Sequence, residues 1–239
     1  SVAVNEGDTA TNSGTYADVP ADTVSISASV GTLVDNGDGT WAWSFVSTDG
    51  PVESQTVTIT ATDEDGGFSN ITFDLAVDNL DPTVTVAQAS VTGNEGQTVT
   101  NTGTYGDVPA DTVSIAASIG TVVFGGGVWT WSHIGADDLP TTTVIITATD
   151  DDGDSSETTF DLIVNNVAPT LTVSSASVTA SEGQTASNSG TYSDVPADAV
   201  TLVASIGAIV YGSGTWSWTF NGTDDLATTI VEITASDED

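Results

Sequence analysis

The chain has 239 residues, 34 of them Asp or Glu and none Lys or Arg, so its formal charge is −34 although only 14% of it is charged. An ordinary soluble domain is about 25% charged with both signs mixed, so the cations that offset these carboxylates must come from outside the chain. Nucleic acid is excluded as a partner, because affinity for a polyphosphate comes from Lys and Arg displacing counterions, and anionic lipid surfaces are excluded by the same sign. Hydrophobic residues reach 38%, with six Trp, which separates the chain from disordered acidic tails. Cys and Met are both absent, leaving neither a disulfide framework nor a thiolate metal site. No stretch approaches the roughly 20 apolar residues of a membrane span, and Ser1 begins no signal peptide. Without an initiator residue, the sequence reads as a processed product or a window of a longer chain, and its Ser- and Thr-rich, oxidation-resistant composition points to secretion.

Internal repetition organises everything else. Glu6, Glu95 and Glu182 each precede a Gly and fall 89 and then 87 residues apart. Tyr16, Tyr105 and Tyr192 open YADVPAD, YGDVPAD and YSDVPAD at the same intervals. Trp41, Trp129 and Trp216 open WAW, WTW and WSW, and Asp63, Asp150 and Asp237 open DED, DDD and DED. Pro82 and Pro169 close DNLDP and NNVAP. Three units follow, at 1–82, 83–169 and 170–239.

Within the middle unit the expected elements run in chain order as strand A from the TVTVAQASV region, B from QTVTNTGTY, C from TVSIAAS and D from TVVF. E then comes from VWTWSHI, F from TTVIITAT and G from TTFDLIV. Short runs of alternating apolar residues between Gly, Asp and Pro are the mark of strands with regular turns. Seven short antiparallel strands in about 87 residues predict an all-β, two-sheet, immunoglobulin-like sandwich, repeated three times. Thr and Val dominate and no segment carries a 3.6-residue apolar stripe, so helix is not expected. The first unit lacks the counterpart of TVTVAQA, its strand A, and the third ends before its strand G.

The combination NEGQTVTNTGTYGDVPAD, VIITATDDDGD and FDLIVNNVAP resembles the tandem immunoglobulin-like repeats, related to PKD and cadherin-like domains, of large bacterial surface proteins. The resemblance covers all three units. IGTVVFGGGVWTW stands where PKD domains carry a WDFGDG-type segment, which places it with the broader immunoglobulin-like class. It implies extracellular, calcium-dependent, non-catalytic modules of stalks, adhesins or surface layers.

Strand alternation alone assigns the acidic loops to the two poles of each sandwich. The A–B loop, the E–F loop and the exit of G share the C-terminal pole, while the B–C and F–G loops share the N-terminal pole. Successive units therefore line each seam with oxygen ligands from both sides. At the first seam these are Glu6, Asp78, Asn79 and Asp81, with Asp49 as an addition, facing Asp107, Asp111, Asp150 and Asp152. At the second they are Glu95, Asp137, Asp138, Asn165 and Asn166, facing Asp194, Asp198, Asp237 and Asp239. Two like charges about 4 Å apart repel by about 4 kcal/mol at an effective dielectric near 20, so such a cluster requires water and salt or a divalent ion. Calcium suits it, taking six to eight oxygens in loose geometry, whereas zinc and copper want nitrogen and sulfur ligands. Solvated turns are the usual fate of loop Asp, and that reading is kept for Glu64, Asp151 and Glu238. A high-salt acidic protein would scatter its acids over the surface; here they gather in the polar loops.

Unmatched half-sites remain at the two ends, with Asp18, Asp22, Asp63 and Asp65 at one and Glu182, Asp224 and Asp225 at the other. An open sheet edge invites another strand, and a heterologous contact that does not close propagates. Either the array continues or identical chains join head to tail.

Alternate residues share a face of a strand, so each WxW pair is expected in a core, the competing reading being a sugar-stacking platform. His133 continues that face where the other units have Phe45 and Phe220, as a packing substitute. One His without Cys or Lys leaves no nucleophile–base pair of the usual kinds, and a paired-carboxylate glycosidase would need a unique site rather than acids repeated in every unit. Asn70 and Asn221 stand in NIT and NGT sequons, candidates for glycan attachment. The expectation is a non-enzymatic extracellular bacterial rod, rigidified by calcium, forming a surface stalk or head-to-tail fibre. The alternatives are an adhesin module binding a glycan or a protein partner, and an accessory module of a carbohydrate-active enzyme.

Overall fold

The structure is a computed structural model that describes residues 1–20, 22–222 and 227–238. Among these there is no helix, and nothing long and apolar enough to cross a membrane as one. The first unit comprises β1 (Val2–Asn5), β2 (Thr9–Thr15), β3 (Val24–Ala28), β4 (Thr32–Asp35), β5 (Thr40–Val46), β6 (Gln55–Asp63) and β7 (Phe68–Asp78). They form two sheets, ordered β1-β7-β6-β3 and β2-β5-β4.

The middle unit comprises β8 (Thr83–Val84), β9 (Ser90–Asn94), β10 (Thr98–Gly106), β11 (Ser114–Ala117), β12 (Thr121–Gly125), β13 (Val128–Ile134), β14 (Leu139–Thr149) and β15 (Ser155–Asn165). Its sheets are β8-β10-β13-β12 and β9-β15-β14-β11. In strand letters this is A-B-E-D packed on A′-G-F-C, an immunoglobulin-like sandwich. The expected strand A is thus two strands, and the sheet is not wholly antiparallel, because β9 runs parallel to β15 while β8 runs antiparallel to β10. The switch has a local cause. The Ala87 amide still donates to Thr102 of β10, whereas the Ala89 carbonyl already accepts from Asp161 of β15. Between them, Asn101 Nδ2 donates to the Gln88 carbonyl at 2.8 Å and satisfies the backbone where it crosses. Asn101 is itself buried, so this bond gives its side-chain amide the partner that a buried polar group requires.

The core of this unit is built from alternate residues of the facing strands: Trp129 and Trp131 of β13, Val144, Ile146 and Ala148 of β14, and Phe160, Leu162 and Val164 of β15. The WxW pairs are buried in all three units, so they form cores and not a sugar platform. Each second Trp donates its indole N–H to the turn carbonyl of Val30, Ile119 or Ile206 at 2.7 Å, the partner a buried indole requires. Gly103 is dictated by a close approach, since a Cβ there would collide with the Thr85 carbonyl oxygen. His133 stacks on Trp131 with ring centroids 6.0 Å apart, as Phe45 does on Trp43 at 6.3 Å and Phe220 on Trp218 at 6.2 Å.

The third unit comprises β16 (Thr170–Leu171), β17 (Thr185–Ser193), β18 (Thr201–Ala204), β19 (Ala208–Gly212), β20 (Thr215–Asn221) and β21 (Ile233–Ser236), in sheets β16-β17-β20-β19 and β18-β21. Among the described residues no strand pairs with the free edge of β21, and the counterpart of β9, around Val178, forms no ladder. Between them lies a cleft of about 520 Å3, lined by Leu171, Val178, Trp216, Trp218, Ile230 and Ile233. In the first unit β1 supplies A′, and among the described residues no strand takes the place of β8.

Candidate metal centre

Glu6 follows the last residue of β1 and is held at the C-terminal pole of its unit by long-range contacts. Its amide donates to the Asp78 carbonyl. Its carboxylate accepts from Gly50 N through Oε2 and from Leu80 N through Oε1, both at 2.8 Å. The side chain is only 3% exposed. The E–F loop that brings Gly50 and Asp49 is braced by Glu53, whose carboxylate accepts from the Thr48 and Asp49 amides and the Thr48 hydroxyl.

The opposing wall of the seam is the DVPAD turn between β10 and β11. Asp107 Oδ1 accepts from the Val108 amide at 2.9 Å, and the Asp111 amide donates to the Val108 carbonyl at 3.1 Å. This closed turn sets the two carboxylates on either side of Val108. Two groups of carboxylates meet here, Glu6 with Asp107 and Asp111, and Glu6 with Asp49 and Asp152; within each, one ligand oxygen per residue lies within 4.8 Å of the others. Asp107 Oδ2, Asp111 Oδ2 and Asn79 Oδ1 are buried with no hydrogen-bond partner.

At the second seam Glu95 joins Asp137 and Asp198 within the same 4.8 Å. Glu95 is 1% exposed; Oε1 accepts from the Val167 amide, and Oε2 is buried and unpartnered. Asp194 Oδ2 and both Asp198 carboxylate oxygens are in the same condition. Glu95, Asp194 and Val195 line one cavity of about 650 Å3 at this seam.

The electrostatics follow from the crowding. Desolvation first, and then the charges of Glu6 and Asp107, push the Asp111 carboxyl up to about 6. Desolvation and then Glu95 and Asp194 push Asp198 up to about 6. Asp107 and Asp152 are raised for the same kinds of reason, with Asp150 and Asp49 respectively the leading charges after desolvation. Like charges in a partly dry site disfavour ionisation. The donor set is entirely oxygen and includes buried carboxylate oxygens without a hydrogen-bond partner. Hard cations of the calcium kind prefer such donors, and softer metals do not.

Other residues expected at the seams are used differently. Asp150 is buried and its Oδ1 accepts from Gly153 N and Asp154 N, closing its own F–G turn. Asn79 crosses the seam without an ion, donating Nδ2 to Asp150 Oδ2 and Asp154 Oδ2, both at 3.0 Å. Asp78, Asp81, Asn165 and Asn166 are exposed, and Asp78, Asp81 and Asp138 join no carboxylate group among the described residues. Asp78 and Asn165 contribute through their backbone carbonyls, which accept from Glu6 N and Glu95 N. Asp237 lies near enough to Asp198 to raise it, and Asp239 lies outside the described residues.

The end groups behave as ordinary turns. Asp18 Oδ1 accepts from Val19 N and Asp63 Oδ1 from Gly67 N, and Asp18, Asp22, Asp63, Asp65 and Glu182 form no group among the described residues. Asp224 and Asp225 lie outside them. Asn70 is exposed on β7; Asn221 is exposed at the end of β20, its Oδ1 accepting from Thr185. Glu53 as a brace, Asn79 as a strut and Asp154 as its partner are not legible in the residues alone, since each acts through a loop shape that residue spacing does not encode.

No protein-family model and no curated protein sequence matches the chain. Among solved structures it is similar to titin domains z1z2 in complex with telethonin, at 19% identity over 70% of this chain and 93% of that one, TM-score 0.43. An I-band fragment of titin aligns at 14% identity over 100% and 91% of the two chains, TM-score 0.40. Sidekick-1 immunoglobulin domains align at 14% identity over 98% and 55%, TM-score 0.36. The class of the protein, a tandem of immunoglobulin-like sandwiches, rests on its own strand order.

Proposed function

We propose that the chain is a non-enzymatic, extracellular structural repeat protein whose seams bind calcium, so that a string of sandwiches becomes a semi-rigid rod in a bacterial surface stalk or head-to-tail fibre. The observation that carries this reading is Glu95. A carboxylate 1% exposed, with one oxygen unpartnered, faces Asp137 and Asp198 in a chain without Lys or Arg. A buried charge of this kind needs a counter-charge, and calcium supplies it using the oxygen ligands present. Glu6 belongs to two carboxylate groups, so it would be shared between two neighbouring ions. The acids repeat at every seam, which suits ligation better than a single active site. Its partners are adjacent repeats or further copies of the same chain.

Calcium titration by calorimetry, paired with small-angle scattering in calcium and in chelator, tests the proposal. Saturable binding with a longer, narrower distribution of overall dimensions is expected. Unchanged dimensions with no heat of binding would overturn it.

A second reading, an adhesive module for a glycan or protein, is favoured by one feature. The edge strands β12 and β19 present Val123 and Phe124, and Val210 and Tyr211, to solvent at equivalent positions. Tyr105 and Tyr192 stand against Phe124 and Tyr211. Binding to a glycan or surface-protein panel that is lost with Phe124→Ser and Tyr211→Ser would favour it.

A further inference from the structure

Each seam contains an apolar contact that needs no ion. The Glu-Gly turn at the end of A′ places its glycine at positive φ, 78° for Gly7 and 71° for Gly96. The tip of the next unit's DVPAD turn lies on that glycine. A Cβ on Gly7 would stand 3.7 Å from Val108 Cγ1, and one on Gly96 would stand 3.4 Å from Val195 Cγ1. Glycine, which adopts this positive φ freely, carries no side chain, so the valine faces the open space beside the buried glutamate.

The remaining copies of the two motifs act as internal controls. Val19 sits in the same turn, with the Val19 carbonyl accepting from Asp22 N at 3.0 Å, yet it is 58% exposed. Gly183 has φ 73° and, among the described residues, nothing within 4 Å of the position a Cβ would take. Val108 and Val195, by contrast, are half-buried. The turn alone thus does not bury the valine; the neighbouring repeat does.

We infer that Val108 and Val195 are the pivots of the seams, apolar knobs seated on Gly7 and Gly96, which fix where successive repeats touch while the flanking carboxylates and their ions fix the angle. The inference deepens the calcium reading and rests on it for the ion-dependent half. The contact is small and one-sided, so it permits tilting while holding register. Asn79, spanning to Asp150 and Asp154, limits that tilt at the first seam. A single motif, DVPAD, thereby delivers knob and ligands together: Val108 meets Gly7 while Asp107 and Asp111 meet Glu6.

The chain has no cysteine, so spin labels can be placed cleanly at Thr32→Cys and Thr121→Cys, equivalent exposed positions on β4 and β12 of the full chain. Distance distributions between them are read in calcium and in chelator. Val108→Ala, which removes both γ-methyls, is expected to lower the docked population about fivefold in chelator, as loss of a half-buried valine implies. Its distribution should stay narrow in calcium. Val108→Thr, of nearly the same shape, guards against a variant that disturbs the turn and should broaden less, and Val19→Ala should change nothing. Identical distributions for Val108→Ala and the unsubstituted chain in chelator would overturn the pivot. A distribution for the unsubstituted chain that ignores calcium would instead overturn the calcium reading and leave the pivot standing.

Discussion

Glu6 and Glu95 are buried, whereas Glu182, in the same Glu-Gly context, is exposed. Local sequence does not separate them. At Glu6 and Glu95 the strand A′ is clamped in parallel to strand G, and the residues just beyond G, Leu80 and Val167, donate amides to the carboxylate. Around Glu182 no such strand stands among the described residues, A′ forms no ladder, and no DVPAD turn is docked on Gly183. Burial of the seam glutamate is therefore a product of strand G and the neighbouring repeat together. The first unit buries Glu6 although no strand takes the place of β8 among the described residues, so strand G and A′ are the parts of the sandwich that the glutamate requires.

Four experiments bear on that difference, in order of expected size. The largest concerns the sandwich itself. Phe160 of β15 is 2% exposed, while its counterpart Phe73 of β7 is half-buried, lacking the covering strand β8 supplies. Phe160→Ala should destabilise the middle unit by about 3–5 kcal/mol and Phe73→Ala the first unit by clearly less, read by denaturant unfolding. Equal losses would mean that the missing strand contributes nothing to the core.

Next comes calcium at the glutamates. An ion held at one hundred times its dissociation constant stabilises its site by about 2.7 kcal/mol. Glu95→Gln should abolish that increment at the second seam, measured as the calcium-dependent shift in unfolding midpoint. Glu182→Gln should leave the shift within about 0.5 kcal/mol of the parent. A full calcium response in Glu95→Gln would remove the glutamate from the site.

The third is a pH profile. Burial and neighbouring carboxylates raise Asp111 and Asp198 from the ordinary aspartate value of 3.8 to about 6 in the folded, ion-free protein. Between those values the native state binds more protons than the unfolded chain, so in chelator stability should rise as pH falls from 6 towards 4. In calcium the same protons compete with the ion, so its stabilising increment should shrink over that window and the two curves converge. Parallel curves from pH 7 to 4 would contradict the shared use of these carboxylates by proton and ion.

The smallest is at His133. It stacks on Trp131 much as Phe45 and Phe220 stack on their tryptophans, so His133→Phe should change stability by less than about 1 kcal/mol. A larger loss would give this side chain a polar role that its stacking does not require.

Much of this architecture is legible in the residues. Period-two alternation assigns the WxW pairs to the core, and the reversal of successive strands assigns Glu6 and Asp49 to one pole and Asp107, Asp111 and Asp152 to the other, where the structure brings them together. The division of strand A was not legible. Ala87 and Ala89 belong to one apolar-alternating run, and only hydrogen bonds to Thr102 and Asp161 reveal that they lie in different sheets. Nor was it legible that Asp150 would spend its carboxylate on its own turn and on Asn79, because an Asp that closes a turn and an Asp that faces an ion occupy the same kind of sequence.

The sequence by itself determined the threefold repeat, the β-sandwich of each unit, the all-oxygen chemistry and the pole on which each acidic loop falls. These depend on short-range alternation and chain direction, which a linear string encodes. Tertiary structure alone decided which carboxylates are dry, which are orphaned and which repeats touch through valine and glycine. Those outcomes hang on contacts such as Glu6 with Leu80 and Glu95 with Val167, separated by 74 and 72 residues. Desolvation belongs to the packed assembly and not to any residue within it.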